Sequence, residues 1–449
     1  MRKMKESGIK WIGEIPRDWD VVPFYSYLDN ANNSIVDGPF GSDMKNEEYV
    51  DDGVPVIQLG SIKEYQMDFS KMHYVTNEKA DDLIRHNAKP GDIAIAKMMP
   101  AGKACEIPND YPRYVVSADV IKASISNLYK RKYVIYALNV CATVQAEIEA
   151  QGSTRSRINI SKAKRFMIPR PLNDDFKIIS SFLDLKCSEI DSLTSDIQTQ
   201  LDTLEQYKKS LITETVTKGL KNDVEMKDSG VQWIGTMPAH WKVIRLKNTA
   251  WLKGRIGWQG LRSDEFVDDP ALPYLITGTD FQNGHIDWNT CAHISEERFE
   301  QDYAIHIKED DLLITKDGTI GKVAVAIGCP EKVSLNSGVF IIRNTGKYQY
   351  YSRFMYYLFQ SAEFKNWFTL SNAGNSTIMH LTQEKFYNFS FSFPPLDEQR
   401  EIADYLDDKC TSIDTIIDDK KKQIDLIKDY KKSLIFEYVT GKKEVPDEF

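Results

Sequence analysis

The chain of 449 residues lacks most of the signatures that would mark it as an enzyme. It has no Asn/Asp-Pro-Pro-Tyr/Phe motif of an amino-methyltransferase, and no glycine-rich loop placed for S-adenosylmethionine. Gly318-Thr-Ile-Gly321-Lys322 lacks the spacing of a phosphate loop and the Ser/Thr after its lysine. The seven histidines (His73, His86, His240, His285, His293, His306, His380) form no metal-binding spacing. No Ser/His/Asp or Cys/His arrangement suggests nucleophilic catalysis. A run of about 18 apolar residues, which a membrane span needs, is missing too. So is the apolar segment of a signal peptide after MRKMKESGIK. Six scattered cysteines (Cys105, Cys141, Cys187, Cys291, Cys329, Cys410) form no CxxC, which fits reduced thiols and a cytoplasmic protein. These absences point to a soluble binder rather than a catalyst.

What the chain does have is repetition. Residues 4–21 read MKESGIKWIGEIPRDWDV and residues 226–243 read MKDSGVQWIGTMPAHWKV, with 10 of 18 positions identical at an offset of 222. The correspondence continues. Lys89–Lys97 pairs with Lys308–Lys316, Pro171-Leu172 with Pro395-Leu396, and Tyr207-Lys-Lys-Ser-Leu-Ile212 with Tyr430-Lys-Lys-Ser-Leu-Ile435. Two similar halves predict a pseudo-two-fold protein with a two-fold partner or ligand.

Each half ends in a long helical pattern. The first is expected to start near Asn173 or Asp174, after Pro171, and to stop near Gly219. Ile179, Leu183, Ile190, Leu193, Ile197, Leu201, Leu204, Tyr207 and Leu211 recur with a period near 3.5, a coiled-coil seam. The second opens at Asp397 after Pro394-Pro395 and stops at Gly441. Its seam holds Ile402, Leu406, Cys410, Ile413, Ile416, Ile424, Ile427, Tyr430 and Leu434, with Lys420 as one weak layer. Two such helices, each about 65 Å long at 1.5 Å per residue, most simply pair antiparallel with the globular regions at opposite ends. The alternative is that each packs on its own globular region. Cys187 and Cys410, equivalent in the repeat, read as small seam residues.

The globular parts read as α/β (α+β) with short strands at Val54–Leu59, Pro273–Thr277, Asp92–Ala96 and Asp311–Thr315. Glycine-rich turns lie at 37–41, 100–103 and 317–322. The four segments are 1–170, 171–222, 223–394 and 395–449, with charge balances of +2, −3, −3 and −5. The overall charge of −9 argues mildly against nucleic acid, but a DNA footprint need only be locally basic. Such a locality is Gln151–Pro171, QGSTRSRINISKAKRFMIPRP, with six basic residues and no acid. Arg155 and Arg157 suit a guanine edge or a phosphate, and Lys162, Lys164 and Arg165 suit phosphates. A solvated basic surface would look the same. In the second half Arg255, Gln259 and Arg262 sit in a basic, aromatic and glycine-rich stretch and could reach base edges. The competing reading is a hairpin whose tryptophans are core. Lys97/Lys316 and Lys103/Lys322 recur in both halves, for phosphate contact or for strand-edge packing. Trp11, Trp19, Trp233 and Trp241 are expected to lock each globular region to the helical frame.

Three patterns together resemble the specificity subunit of type I restriction–modification systems. They are Ser-Gly-x-x-Trp-Ile-Gly-x-x-Pro-x-x-Trp opening each half, Pro395-Leu-Asp-Glu-Gln-Arg-Glu-Ile-Ala-Asp-Tyr-Leu406, and Tyr-Lys-Lys-Ser-Leu-Ile followed by Val439-Thr-Gly-Lys442. Asn173-Asp-Asp-Phe176 departs from the second pattern, so the first helix opens differently. The resemblance implies two target-recognition domains, 1–170 and 223–394, joined by two long antiparallel coiled-coil spacer helices. Each domain would read one half-site of an asymmetric double-stranded DNA target. The partners implied are two methyltransferase subunits carrying S-adenosylmethionine for adenine N6 methylation, and in restriction complexes two restriction subunits using ATP and Mg. The chain itself would hold no cofactor or metal and catalyse nothing alone. A coiled-coil scaffold that binds no DNA and a self-sufficient methyltransferase are the competing readings.

Overall fold

The computed structural model describes residues 2–39, 43–98, 100–149, 157–221, 223–255, 260–372, 380–447 and 449. They form two compact units, Met1–Ile197 with Lys422–Phe449, and Gln198–Lys421. Each unit contains one head and part of each of the two long helices, Asp175–Lys218 and Leu396–Val439. Both helices run within two residues of the expected bounds. Each stops at a glycine in the left-handed region, Gly219 (φ +76°) and Gly441 (φ +68°).

In each unit the two helix portions pack antiparallel. Lys431 Nζ lies 2.6 Å from Asp191 Oδ1 in the first unit, and Lys208 Nζ lies 2.6 Å from Asp414 Oδ2 in the second. These four residues correspond pairwise in the repeat. Ile179, Leu183, Cys187, Ile197 and Leu201 are buried on the first helix, and Ile402, Leu406, Cys410, Ile413, Ile417 and Ile424 on the second. The expected seam needs correction at four places: Leu193, Tyr207, Ile416 and Tyr430 are 50, 55, 45 and 58% exposed. The inward row instead runs through Ile417, Lys208 and Lys431, one residue beyond the expected apolar positions. Their ammonium groups reach acids on the facing helix, so the seam tolerates them. Lys420, the weak layer, is half-buried and donates to Gln200.

The helices also pack on the heads. The first core joins Phe176, Phe182 and Leu183 to Tyr133, Phe166 and Ile168 of the head and to Leu434, Ile435 and Val439. The second joins Ile212 and Val216 to Phe354, Phe386, Phe389 and Phe391 of the head and to Ile402 and Leu406. Within each unit the helix portions therefore pack both on each other and on the head, because one face of each helix is apolar over more than a narrow seam.

The heads are built of short, mostly antiparallel strands. In the first head one sheet runs Ile35–Asp37, Val120–Ala123, Ile93–Ala96, Ala104–Glu106. A second runs His73–Val75, Val54–Ile57, Tyr114–Val116, Asn87–Ala88, with one parallel pair, Val56 beside Val115. In the second head six strands run Ala250–Gly254, Val339–Asn344, Leu312–Thr315, Val323–Val325, His285–Ile286, Phe281–Gln282. Beside them Tyr274–Ile276 pairs parallel with Val333–Leu335. All four strands expected from sequence are present. Ile93–Ala96 and Leu312–Thr315 are buried on both faces, which is why they read as continuous apolar runs rather than alternating ones.

Two tryptophans fix head to frame. Trp19, 1% exposed, donates from Nε1 to Asp175 Oδ2 (3.3 Å) in the first turn of the first helix. Its ring also lies against Gly441, where an added Cβ would come within 2.9 Å of it. Trp241, equally buried, donates to Glu398 Oε2 (2.9 Å) at the start of the second helix and lies against Gly219. Each indole thus joins the beginning of one long helix to the end of the other. Trp233 donates to Ser390 O (2.7 Å), and Trp11 is half-buried against the first core.

Candidate nucleic-acid interface

The residues singled out in the sequence converge on the end of one strand in each head. Lys97 follows strand Ile93–Ala96; its N–H bonds Asp119 O (3.0 Å) and its carbonyl accepts from Ile158 N (2.9 Å). Lys316 follows Leu312–Thr315; its N–H bonds Gly338 O (2.9 Å) and its carbonyl accepts from Leu381 N (3.3 Å). One backbone position therefore ties three loops together in each head. These are the hairpin turn after the strand, the turn before the neighbouring strand, and the segment leaving 150–156 or 373–379. The turn before the neighbouring strand is closely packed: a Cβ on Gly38, just past strand Ile35–Asp37, would meet the Ser117 backbone at 2.1 Å.

The two lysine side chains differ. Lys97 is 4% exposed, with Nζ 2.7 Å from both Asp37 Oδ2 and Ala118 O, so it holds loops and is not offered to a ligand. Lys316 is half-buried over the Phe340 ring, 5.0 Å from its centroid. Of the two choices left open for this pair, strand-edge packing is what the first head shows. Lys103 is half-buried and Lys322 exposed, each on the outgoing arm of the hairpin. The Lys322 arm also lines a crevice beside the long helices.

Arg157 is exposed at this edge, and its Nη2 lies 2.7 Å from Asp119 Oδ1. At the corresponding place in the second head His380 Nδ1 lies 2.9 Å from Asp317 Oδ1. The sequence reading missed His380; its offset of 223 from Arg157 was the available signal. Lys162, Lys164 and Arg165 are exposed around the short helix Ile160–Lys164, which is capped by Asn159 Oδ1 accepting from Lys162 N (2.9 Å). Ala163 and Phe166 turn inward and anchor that helix. Arg155 lies outside the described residues, as does Gln259.

Arg255 is a correction. It is 2% exposed and donates from Nε to Leu335 O and from Nη2 to Ser334 Oγ, both 3.0 Å. Burial, and then nearby Arg298, lower its pKa. A guanidinium committed to strand Val333–Leu335 in this way is not presented to a base edge. It follows Gly254 directly, and strand pairing of Gly254 with Phe340 turns it inward. Arg262, by contrast, is exposed, and its N–H bonds Glu265 Oε2 (2.8 Å) in a turn that Arg298 braces. Trp251 is half-buried, with the Arg343 guanidinium 5.7 Å over its ring. Among the described residues no group of acids, histidines and cysteines could hold a metal ion. No helix there is long and apolar enough to cross a membrane.

The arrangement offers each head a surface edge with cations steadied by acids, on loops of different sequence over a shared strand end. Comparison with known proteins finds relatives over most of the chain. A family model described as the type I restriction modification DNA specificity domain matches residues 238–426. A putative type I restriction enzyme MjaX specificity subunit of Methanocaldococcus jannaschii is 24% identical over 402 residues, covering 87% of either chain. The type I restriction enzyme MjaVIII specificity subunit of the same organism is 22% identical over 424 residues, covering 90% of either chain. A solved chain, described under complex assembly and conformational transition of the type I R-M system, superposes with a TM-score of 0.69. It is 14% identical, with 96% of this chain and 99% of that chain covered, so the fold is shared.

Proposed function

We propose that this chain, which belongs to the family of type I restriction–modification specificity subunits, reads an asymmetric bipartite DNA target with one half-site per head. The observation that carries this is a constant frame under variable loops. The strand-end lysine, the tryptophan joint and the helix ion pair recur in both units, while the loops they steady differ. Arg157, Lys162, Lys164 and Arg165 serve the first half-site; Arg262, Lys322 and His380 serve the second. Exposed arginines supply base contacts, and lysines supply the salt-dependent phosphate contacts. Two modest half-site contacts in one chain gain affinity through effective concentration. The two helices of 44 residues set the unread gap as a pseudo-two-fold coiled-coil spacer and dock two methyltransferase subunits. Those subunits bring S-adenosylmethionine and flip the adenine. Restriction subunits bring ATP and Mg. The chain contributes recognition and no catalytic group of its own.

The test is sequencing of modified bases in DNA from a methylation-free host that expresses the chain with its methyltransferase subunit, against the methyltransferase alone. A bipartite N6-methyladenine motif present only with the chain is expected. No motif despite a stable complex of the two proteins would sink the reading and leave a scaffold.

A further inference from the structure

The two heads carry the same pair of side-chain chemistries at one place, with the positions exchanged. In each head a short parallel strand pair runs up to the edge described above. Val54–Ile57 lies beside Tyr114–Val116, and Tyr274–Ile276 beside Val333–Leu335. The first residues past these strand ends are Gln58 and Ser117 in the first head, Thr277 and Asn336 in the second. Gln58 corresponds to Thr277 and Ser117 to Asn336, both at an offset of 219, so carboxamide and hydroxyl have traded strands. The backbone around them is the same. Ser117 N bonds Ile57 O and Asn336 N bonds Ile276 O, both 2.9 Å. Gln58 N bonds Ser61 Oγ (3.3 Å) and Thr277 N bonds Asp280 Oδ2 (2.7 Å), with Ser61 and Asp280 buried. Two residues past Ser117, Asp119 O holds the Lys97 N–H; two past Asn336, Gly338 O holds that of Lys316. Each carboxamide thus stands on a pinned platform at the edge assigned to DNA, as a reading group requires.

The fold does not consume these amides. Both residues are half-buried, and the strand ends are already joined through backbone groups. A carboxamide offers two N–H donors and an oxygen with two acceptor sites. Asn336 Oδ1 accepts from Ser337 N (2.7 Å), and its Nδ2 has no partner among the described residues. Gln58 Nε2 makes one long contact, 3.4 Å, to Tyr49 Oη. In the major groove adenine presents the N7 acceptor beside the N6 donor, the complement of one carboxamide, whereas a hydroxyl suits several bases.

We propose that Gln58 and Asn336 are the adenine-reading side chains of the first and second half-sites, each donating to N7 and accepting from N6 of one adenine. This rests on the reading of one half-site per head. The test is modified-base sequencing in the methylation-free host, with the full chain and its methyltransferase subunit. Asn336→Ala should lower the preference for one A·T pair in one half of the motif by about tenfold or more, and leave the other half unchanged. Gln58→Ala should do the same in the other half. Asn336→Asp and Gln58→Glu keep the shape but can only accept, so they should move the preference at that pair toward C·G. A merely structural role would slow methylation at every site and leave all preferences intact. That result would overturn the proposal while the half-site reading stands. So would an unchanged motif with both alanine variants, or lost preference at a G·C pair instead. No bipartite motif with the unsubstituted chain would overturn both.

Discussion

The first and second units solve the same problem at the ends of the long helices with different chemistry. The last turn of a helix leaves carbonyls without partners. In the first unit the Val439 carbonyl accepts from the Tyr133 hydroxyl (2.7 Å), which also reaches Pro169 O. In the second the corresponding Val216 carbonyl accepts from Ser392 Oγ (3.2 Å), and that serine is held by buried Glu363. The helix beginnings differ in the same way. Phe176 packs edge-on to Tyr27 and Tyr133, whereas its counterpart Gln399 is fully buried and bonds Tyr351 N and Pro394 O. The frame therefore constrains which backbone groups must be met, not the residue that meets them. Heads can diverge as long as each still satisfies the same ends.

The tryptophan joint is where the comparison is strongest, so breaking it should have the largest effect. Trp19→Ala and Trp241→Ala should each cost about 3–5 kcal/mol, read by chemical denaturation. A large difference between the two would show that the joints are not equivalent.

The next test separates the units by pH. Burial lifts the Glu363 carboxyl to about 8 from an ordinary 4.5. Between those values the folded chain holds a proton that the unfolded chain has lost. Stability from this group is therefore full below about pH 4.5 and falls through the window to pH 8, by about 1.4 kcal/mol per pH unit. Glu363→Gln should flatten that slope in thermal melts recorded between pH 5 and 8. The first unit, closed by Tyr133, has no such acid at the equivalent carbonyl.

Smaller again are the effects on recognition. Arg157→Ala should relax one half-site and Arg262→Ala the other, each by about 1–3 kcal/mol of discrimination, read as changed methylation at one half of the motif only. A change in both halves from either substitution would break the assignment of one half-site per head. Smallest are the helix ion pairs. Lys208→Met and Lys431→Met should each cost about 0.2–1 kcal/mol in denaturation, because Asp414 and Asp191 are about half exposed or more.

Much of the frame is legible in the sequence because proline, glycine and apolar period act locally. Pro171, Pro394-Pro395, Gly219 and Gly441 bracket both helices, and Ile93–Ala96 and Leu312–Thr315 announce themselves as buried strands. The seam is less legible. A 3.5-residue period leaves adjacent rows competing, and Tyr207 beside Lys208 looks the more apolar choice until Asp414 on the facing helix is known. The interface is least legible. Whether an arginine faces solvent, as Arg262 does, or a strand edge, as Arg255 does, depends on pairing with residues some 80 positions away.

The division of the chain also sets an order of events during synthesis. The second unit is one continuous stretch, 198–421, and can complete its core once that stretch has left the ribosome. The first unit needs residues 422–449, which emerge only after the second unit. Until then Tyr133 lacks Val439, Trp19 lacks Gly441, and the apolar face of the first helix lacks Leu434 and Ile435. The first head is thus made before the second and finished after it, with its apolar surface open to chaperones in between.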